Sequence, residues 1–194
     1  PQMVAVLHCA GACGTAVTLD EDYEGIEDCR AASLLSTGDK ACPYACMGLG
    51  SCIKVCQFGA ITRKDGIIEI DEDKCKGCGA CVSVCPKHLI SMMPKHNRVW
   101  VACSNKDRGP SVKANCGVGC IACKKCEKVC DQDAITVVDN VAVVDWEKCN
   151  ACGRCIEECP THAILGKLDR LAEEAGTTEP ALAAAETPGP ERNN

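Results

Sequence analysis

Residues 74–86 read KCKGCGACVSVCP and residues 148–160 read KCNACGRCIEECP. In both, two-residue gaps separate the first three cysteines, a three-residue gap leads to the fourth, and Pro follows. The runs are Cys75, Cys78, Cys81 and Cys85, then Cys149, Cys152, Cys155 and Cys159. Three thiolates spaced this closely let one short loop wrap an inorganic cubane, while the fourth reaches across to a neighbouring cluster. Gly77, Gly79, Ala80, Ala151 and Gly153 are small enough for the backbone to approach the sulfides closely. A third run, Cys120, Cys123, Cys126 and Cys130, keeps the spacing with Ala122 inside it and Asp131 in place of Pro.

A fourth run is altered. Within CPYACMGLGSCIKVCQFGAI at 42–61, Cys46, Cys52 and Cys56 hold the first, third and fourth places, Leu49 stands at the second, and Gln57 replaces Pro. Leucine cannot bind iron. Cys42 is the nearest spare thiol and is expected to substitute for it.

The chain is a duplication. Cys46, Cys52, Cys56, Cys75 and Cys85 recur without a gap at an offset of 74, as Cys120, Cys126, Cys130, Cys149 and Cys159. Ala60-Ile61-Thr62, Asp71, Lys74, His88 and Ile90 recur in the same register. Applying the crossing rule within each half predicts four 4Fe-4S clusters. Cluster 1 takes Cys42, Cys46, Cys52 and Cys85; cluster 2 takes Cys75, Cys78, Cys81 and Cys56. Cluster 3 takes Cys120, Cys123, Cys126 and Cys159; cluster 4 takes Cys149, Cys152, Cys155 and Cys130. Cys9, Cys13, Cys29, Cys103 and Cys116 remain. They are read either as inert buried thiols or, for Cys9, Cys13, Cys29 and Cys103, as a fifth cluster.

Composition agrees with this chemistry. Twenty-one cysteines among 194 residues is an odd number, clustered at short gaps, which fits metal ligation in a reducing compartment better than a disulfide scaffold. One Phe, two Tyr and two Trp cannot fill a core of this length, so inorganic clusters must stand in for apolar side chains. A net charge of −6 argues against nucleic acid as a partner. Structural zinc wants two separated pairs in one closed site rather than successive quartets, and a thioredoxin-like dithiol would use only two cysteines. His8, His88, His96 and His162 read as surface or packing residues. No nucleophile–base pair, phosphate loop or flavin motif is present, so the chain is expected to move electrons and to catalyse no bond chemistry itself.

The expected fold class is α+β: tandem two-cluster ferredoxin-like modules, with short strands and helical turns around the cubanes. The alternating stretches GIIEID (66–71) and NVAVVD (140–145) read as strands, with turn residues before each. ACVSVC and RCIEEC read as helical turns. The expected divisions are a cysteine-containing preface at 1–41 with a strand at MVAVLH, module 1 at 42–90, and a linker at 91–115 with a strand at RVWVAC. Module 2 follows at 116–165, and 166–194 holds a short helix in KLDRLAEEA and a disordered Ala/Pro/Glu-rich tail. No run of about 18 apolar residues appears.

The segments VAVLHCAG, YEGIEDCRAA, KACPYACMGLGSCIKVCQFGAI, WVACSNKDRG and NCGVGCIACKKCEKVC together resemble the B subunit of the Rnf complex, a membrane-bound ferredoxin:NAD oxidoreductase that pumps sodium ions or protons. The resemblance spans roughly residues 4–165. It implies a relay that takes electrons from reduced ferredoxin and passes them to the membrane subunits. It also implies a cytoplasmic location at the inner face of the cell membrane, held there by partner subunits or by a membrane helix upstream of residue 1. The alternative is a soluble polyferredoxin, serving as a carrier or as a subunit of a cytosolic redox enzyme.

Overall fold

The computed structural model describes residues 2–19, 25–96 and 98–168. It is a mixed helix and strand structure built as two similar halves, each with its own buried core.

The first half contains β1 (Met3–Leu7), α1 (Cys29–Ser33), α2 (Ser51–Val55), β2 (Ile61–Lys64), β3 (Ile67–Ile70), α3 (Ala80–Val84) and β4 (Ile90–Pro94). The second contains β5 (Arg98–Val101), α4 (Gly109–Asn115), α5 (Lys125–Lys128), β6 (Ile135–Val138), β7 (Val141–Val144), α6 (Arg154–Glu157) and β8 (Ile164–Lys167). The eight strands among the described residues lie in two-stranded antiparallel sheets, paired β1–β4, β2–β3, β5–β8 and β6–β7.

Local sequence explains the hairpins. β2 joins β3 through Asp65-Gly66, at φ 48 and 74, and β6 joins β7 through Asp139-Asn140, at φ 48 and 63. Two consecutive positive φ values make a type I′ turn, whose twist matches the flanking strands. The alternation then sets the register, Ile61 opposite Ile70 and Ile135 opposite Val144.

The outer pairs are long-range. β1 runs against β4 with Leu7 opposite Ile90, and β5 runs against β8 with Val101 opposite Ile164. Just beyond each pair, the His8 N–H donates to the Leu89 carbonyl and the Ala102 N–H to the Ala163 carbonyl, both at 2.7 Å. Leu89 and Ala163 are 74 residues apart, so β1 serves the first half as β5 serves the second. Segment 91–115, expected to be a linker, carries most of β4, all of β5 and α4. Preface residues supply β1 and α1, which pack onto the first half.

Between the halves, the buried Arg98 guanidinium lies 5.1 Å from the Trp100 ring centroid and pairs with Glu72. Glu72 also accepts from Lys167 at 3.0 Å. The expected helix in KLDRLAEEA falls outside the described residues beyond Leu168, as does the tail expected to be disordered.

Candidate metal centres

Four apolar cavities are each walled by four cysteines. One brings together Cys75, Cys78, Cys81 and Cys56. The cavity expected for cluster 3 gathers Cys120, Cys123, Cys126 and Cys159, and that expected for cluster 4 gathers Cys149, Cys152, Cys155 and Cys130. In each, three thiols come from one loop and the fourth from the partner run of the same half.

The first cavity in chain order holds Cys46, Cys52 and Cys85 together with Cys29. Cys42 does not line it; its sulfur lies against the Asn105 side chain, whose Nδ2 donates to it at 3.3 Å. Cys29 reaches the cavity because it opens α1. Asp28 caps that helix, accepting from the Arg30 and Ala31 N–H groups. The other Asp28 oxygen accepts from the Ser51 hydroxyl at 3.1 Å, while the Ser51 Oγ accepts from the Cys29 N–H at 2.6 Å. Ser51 starts α2 beside Cys52, so this chain of bonds ties the two thiols' helices together.

The loop around Leu49 keeps the shape of a thiol-bearing loop. In the complete runs, the residues flanking the second cysteine are left-handed: Gly77 and Gly79 at φ 69 and 77, Ala122 and Lys124 at 55 and 59, Ala151 and Gly153 at 53 and 84. Gly48 and Gly50, flanking Leu49, are at φ 69 and 79. A Cβ on Gly48 would stand 2.4 Å from the Gly66 carbonyl oxygen, so glycine is required there on two grounds. Successive N–H groups in such loops form concavities suited to sulfide.

Backbone N–H groups also point at the thiols that cross between sites. Leu89 donates to Cys85 Sγ at 3.4 Å, Ala134 to Cys130 Sγ at 3.3 Å and Ala163 to Cys159 Sγ at 3.3 Å. Ala5, in β1, donates to Cys75 Sγ at 3.5 Å.

Burial pushes the thiols of Cys52, Cys155 and Cys126 up. Cys52 rises to about 12, first through lost hydration and then through Cys46, Cys29 and Cys85. Cys155 likewise rises to about 12 and Cys126 to about 11, burial being the main cause and neighbouring cysteines adding to it. Without metal they are neutral at pH 7, and metal must displace their protons on binding.

The donor set fits a multi-iron core rather than a lone ion. Among the described residues, no three His, Cys, Asp or Glu side chains form a group that could hold one metal ion, whereas zinc draws its sulfurs to about 2.3 Å from a single centre. Sulfurs spread around an apolar cavity, met by N–H donors, suit the separated irons of a 4Fe-4S cubane.

Cys13 is exposed, with its sulfur near Gly66. Cys9 accepts from the Cys46 N–H at 3.4 Å, and Cys103 lies in the second half, with Asn105 N–H donating to it at 3.5 Å. Of the expected fifth group, Cys29 lines the first cavity and Cys13 is exposed.

The family described as "4Fe-4S binding domain" matches residues 68–91 and 142–165, two stretches again 74 residues apart. With the thiol-lined cavities, these matches define an iron–sulfur protein of the ferredoxin type. The chain is 47% identical over 164 residues to the B subunit of the proton-translocating ferredoxin:NAD(+) oxidoreductase complex of Clostridium ljungdahlii, covering 83% of this chain and 57% of that protein. It is 46% identical over 144 residues to the B subunit of the ion-translocating oxidoreductase complex of Methanosarcina acetivorans, covering 74% and 54%. It is 42% identical over 167 residues to the Na(+)-translocating counterpart of Acetobacterium woodii, covering 86% and 50%. Over these residues the chain is a homologue of the B subunit of Rnf-type ion-translocating oxidoreductase complexes. It spans about half the length of these relatives. No helix among the described residues is long and apolar enough to cross a membrane.

Proposed function

We propose that this chain is an electron-relay iron–sulfur subunit, accepting electrons from reduced ferredoxin and delivering them to other subunits of an Rnf-type ion-pumping ferredoxin:NAD oxidoreductase at the inner face of the cell membrane. The observation that carries this reading is the set of four cavities, each walled by four cysteines drawn from more than one segment of the chain, in a homologue of that complex's B subunit.

The residues assigned to hold 4Fe-4S clusters are Cys56, Cys75, Cys78 and Cys81; Cys120, Cys123, Cys126 and Cys159; and Cys130, Cys149, Cys152 and Cys155. For the first cavity the assignment is Cys29, Cys46, Cys52 and Cys85, in place of the Cys42 expected from spacing; its support is that Cys29 lines the cavity and Cys42 does not. When bound, such a cluster supplies a one-electron couple whose potential responds to hydrogen bonds on sulfur, burial and nearby charge.

The chain's own residues set those conditions. N–H groups of Ala5, Leu89, Ala134 and Ala163 stabilise negative charge on the ligand sulfurs. Apolar walls such as Leu7, Ile68 and Leu89 in the first cavity exclude water. The hairpins and short helices hold the loops that carry the thiols, which limits rearrangement on a change of charge.

Anaerobic mixing with reduced ferredoxin tests the reading. Rapid bleaching of the visible absorption is expected, together with retention on membranes carrying the partner subunits. If dithionite reduces the protein but ferredoxin does not, the assigned donor is wrong. If ferredoxin reduces it and no membrane partner retains it, the chain is instead a soluble polyferredoxin.

A further inference from the structure

Four cysteines outside the four cavities gather at the junction of the halves: Cys9 and Cys42 from the first, Cys103 and Cys116 from the second. We infer that these four thiols form a fifth iron–sulfur centre, a 4Fe-4S site shared between the halves and built symmetrically, two ligands from each. This inference rests on the reading of the other four sites as iron–sulfur centres.

The symmetry is visible in the register. Cys42 and Cys116 are 74 residues apart, each four residues before the first ligand of its half, Cys46 or Cys120. Cys9 and Cys103 each follow a strand that closes its half's outer sheet, one residue beyond His8 and Ala102, whose N–H groups bond Leu89 and Ala163. Both also meet the same part of their own half. Cys9 Sγ accepts from the Cys46 N–H at 3.4 Å, and Cys103 accepts from the Cys120 backbone N–H.

Backbone contacts draw the pairs together. Ala10 N–H donates to the Ala102 carbonyl at 2.9 Å, and the Ser104 hydroxyl donates to the His8 carbonyl at 3.0 Å, so the chain segments carrying Cys9 and Cys103 are bonded on both sides of each thiol. Segment 15–18 lies between the other two. Ala41 N–H donates to the Val17 carbonyl at 2.9 Å, Val17 N–H to the Asn115 carbonyl at 2.9 Å and Gly117 N–H to the Thr15 carbonyl at 2.8 Å. These bonds hold the residues beside Cys42 and Cys116 to one strand-like segment of the preface.

The side chains converge. A Cβ on Gly11 would stand 3.5 Å from Cys116 Sγ and 3.8 Å from Cys9 Sγ, so the two sulfurs face the same point. Cys42 is an electrostatic neighbour of Cys9, Cys103 and Cys116. Asn105, only 2% exposed, donates its Nδ2 to Cys42 at 3.3 Å and its backbone N–H to Cys103 at 3.5 Å, joining a thiol of each half. Cys42 and Cys116 are buried, Cys9 and Cys103 half-buried, and no disulfide joins any of them. As at the four cavities, N–H groups point at the sulfurs.

A 4Fe-4S core binding here takes the four sulfurs as thiolates and releases their four protons. Lys87, beside Cys42, Cys9 and Cys46, offsets part of the resulting negative charge. The centre touches the first cavity through Cys9 and Cys46, and the third site through Cys103 and Cys120. It thereby lies between sites that otherwise belong to separate halves.

Iron and acid-labile sulfide counting on the anaerobically purified full chain, with Mössbauer spectra, tests this directly. About twenty irons per chain are expected for five cubanes and about sixteen for four. The Cys42→Ala and Cys116→Ala variants are each expected to lose up to about four irons, and the double variant about four rather than about eight, because both thiols serve one centre. Cys13→Ala, altering the exposed thiol, is expected to keep them all. A wild-type count of about sixteen, unchanged in Cys42→Ala and Cys116→Ala, overturns the fifth centre and leaves the other four standing. A count well below about sixteen in wild type overturns the reading on which it rests. The wild-type count decides even if a variant does not fold.

Discussion

Leu49 offers the sharpest test of how the first site is built. Its flanking glycines, at φ 69 and 79, reproduce the angles of Gly77 and Gly79 around Cys78. The backbone is therefore shaped for a ligand at 49 while Cys29 stands in the cavity wall. Cys29→Ala leaves three thiols, and the chain is expected to lose between about one and four irons, depending on whether three sulfurs retain a three-iron core. Adding Leu49→Cys returns a fourth sulfur from the loop itself. Trading a half-buried leucine for cysteine gives up about 1 kcal/mol of apolar burial. A recovered iron–thiolate bond outweighs that loss, since structural metal binding through a full set of four ligands contributes about 10 kcal/mol or more. Iron content in Cys29→Ala/Leu49→Cys is thus expected to return to the wild-type value, with the cubane EPR signal regained on reduction. If iron stays at the Cys29→Ala level, the loop does not present position 49 to the site. If Cys29→Ala loses no iron, Cys29 is not a ligand.

Ser51→Ala removes the hydroxyl linking Asp28 to the Cys29 N–H, and the first site is expected to lose iron to a chelator several-fold faster while the other sites keep their rates; equal rates at all sites would refute that positioning role. Lys40, 1% exposed, donates to the Cys46 carbonyl at 2.9 Å and the Gly66 carbonyl at 2.7 Å. Lys40→Met leaves both without that donor and is expected to destabilise the protein by about 3 kcal/mol, read as a lower denaturant midpoint for loss of visible absorption. Stripping iron with a chelator is expected to abolish near-UV circular dichroism, because cysteines occupy much of both cores. An apo protein with its native near-UV spectrum would show that apolar packing alone suffices.

What could be read from residue order was whatever is local. The quartets around Cys75, Cys120 and Cys149 follow from spacing, and the strands at 67–70 and 141–144 from alternation and the turns before them. β2, β4, β6 and β8 escaped because four or five residues carry little pattern of their own, and β1 meets β4 only across more than eighty positions. Cys29, read from the sequence as a member of a fifth cluster, could not be placed at the first cavity for a related reason. It lies 23 residues before Cys52, at a distance set by the path of the preface rather than by any loop period. A signal did exist in Asp28, a helix cap directly before a cysteine and two apolar alanines. The equivalence of Cys42 and Cys116 was also legible, and equal register in two halves points to equal duty more strongly than nearness to Leu49 points to substitution.

The crossing cysteines have a consequence for how the protein is made. Cys56 leaves the run that serves the first cavity to face the second, and Cys85 does the reverse. Neither site of a half can be completed until both loops are in place. A chain caught midway through maturation holds an open thiol on each side, available to oxygen or to the wrong metal. Each half is therefore best filled as a unit, and iron starvation should yield a mixture of full and empty halves rather than a gradient of partly loaded ones.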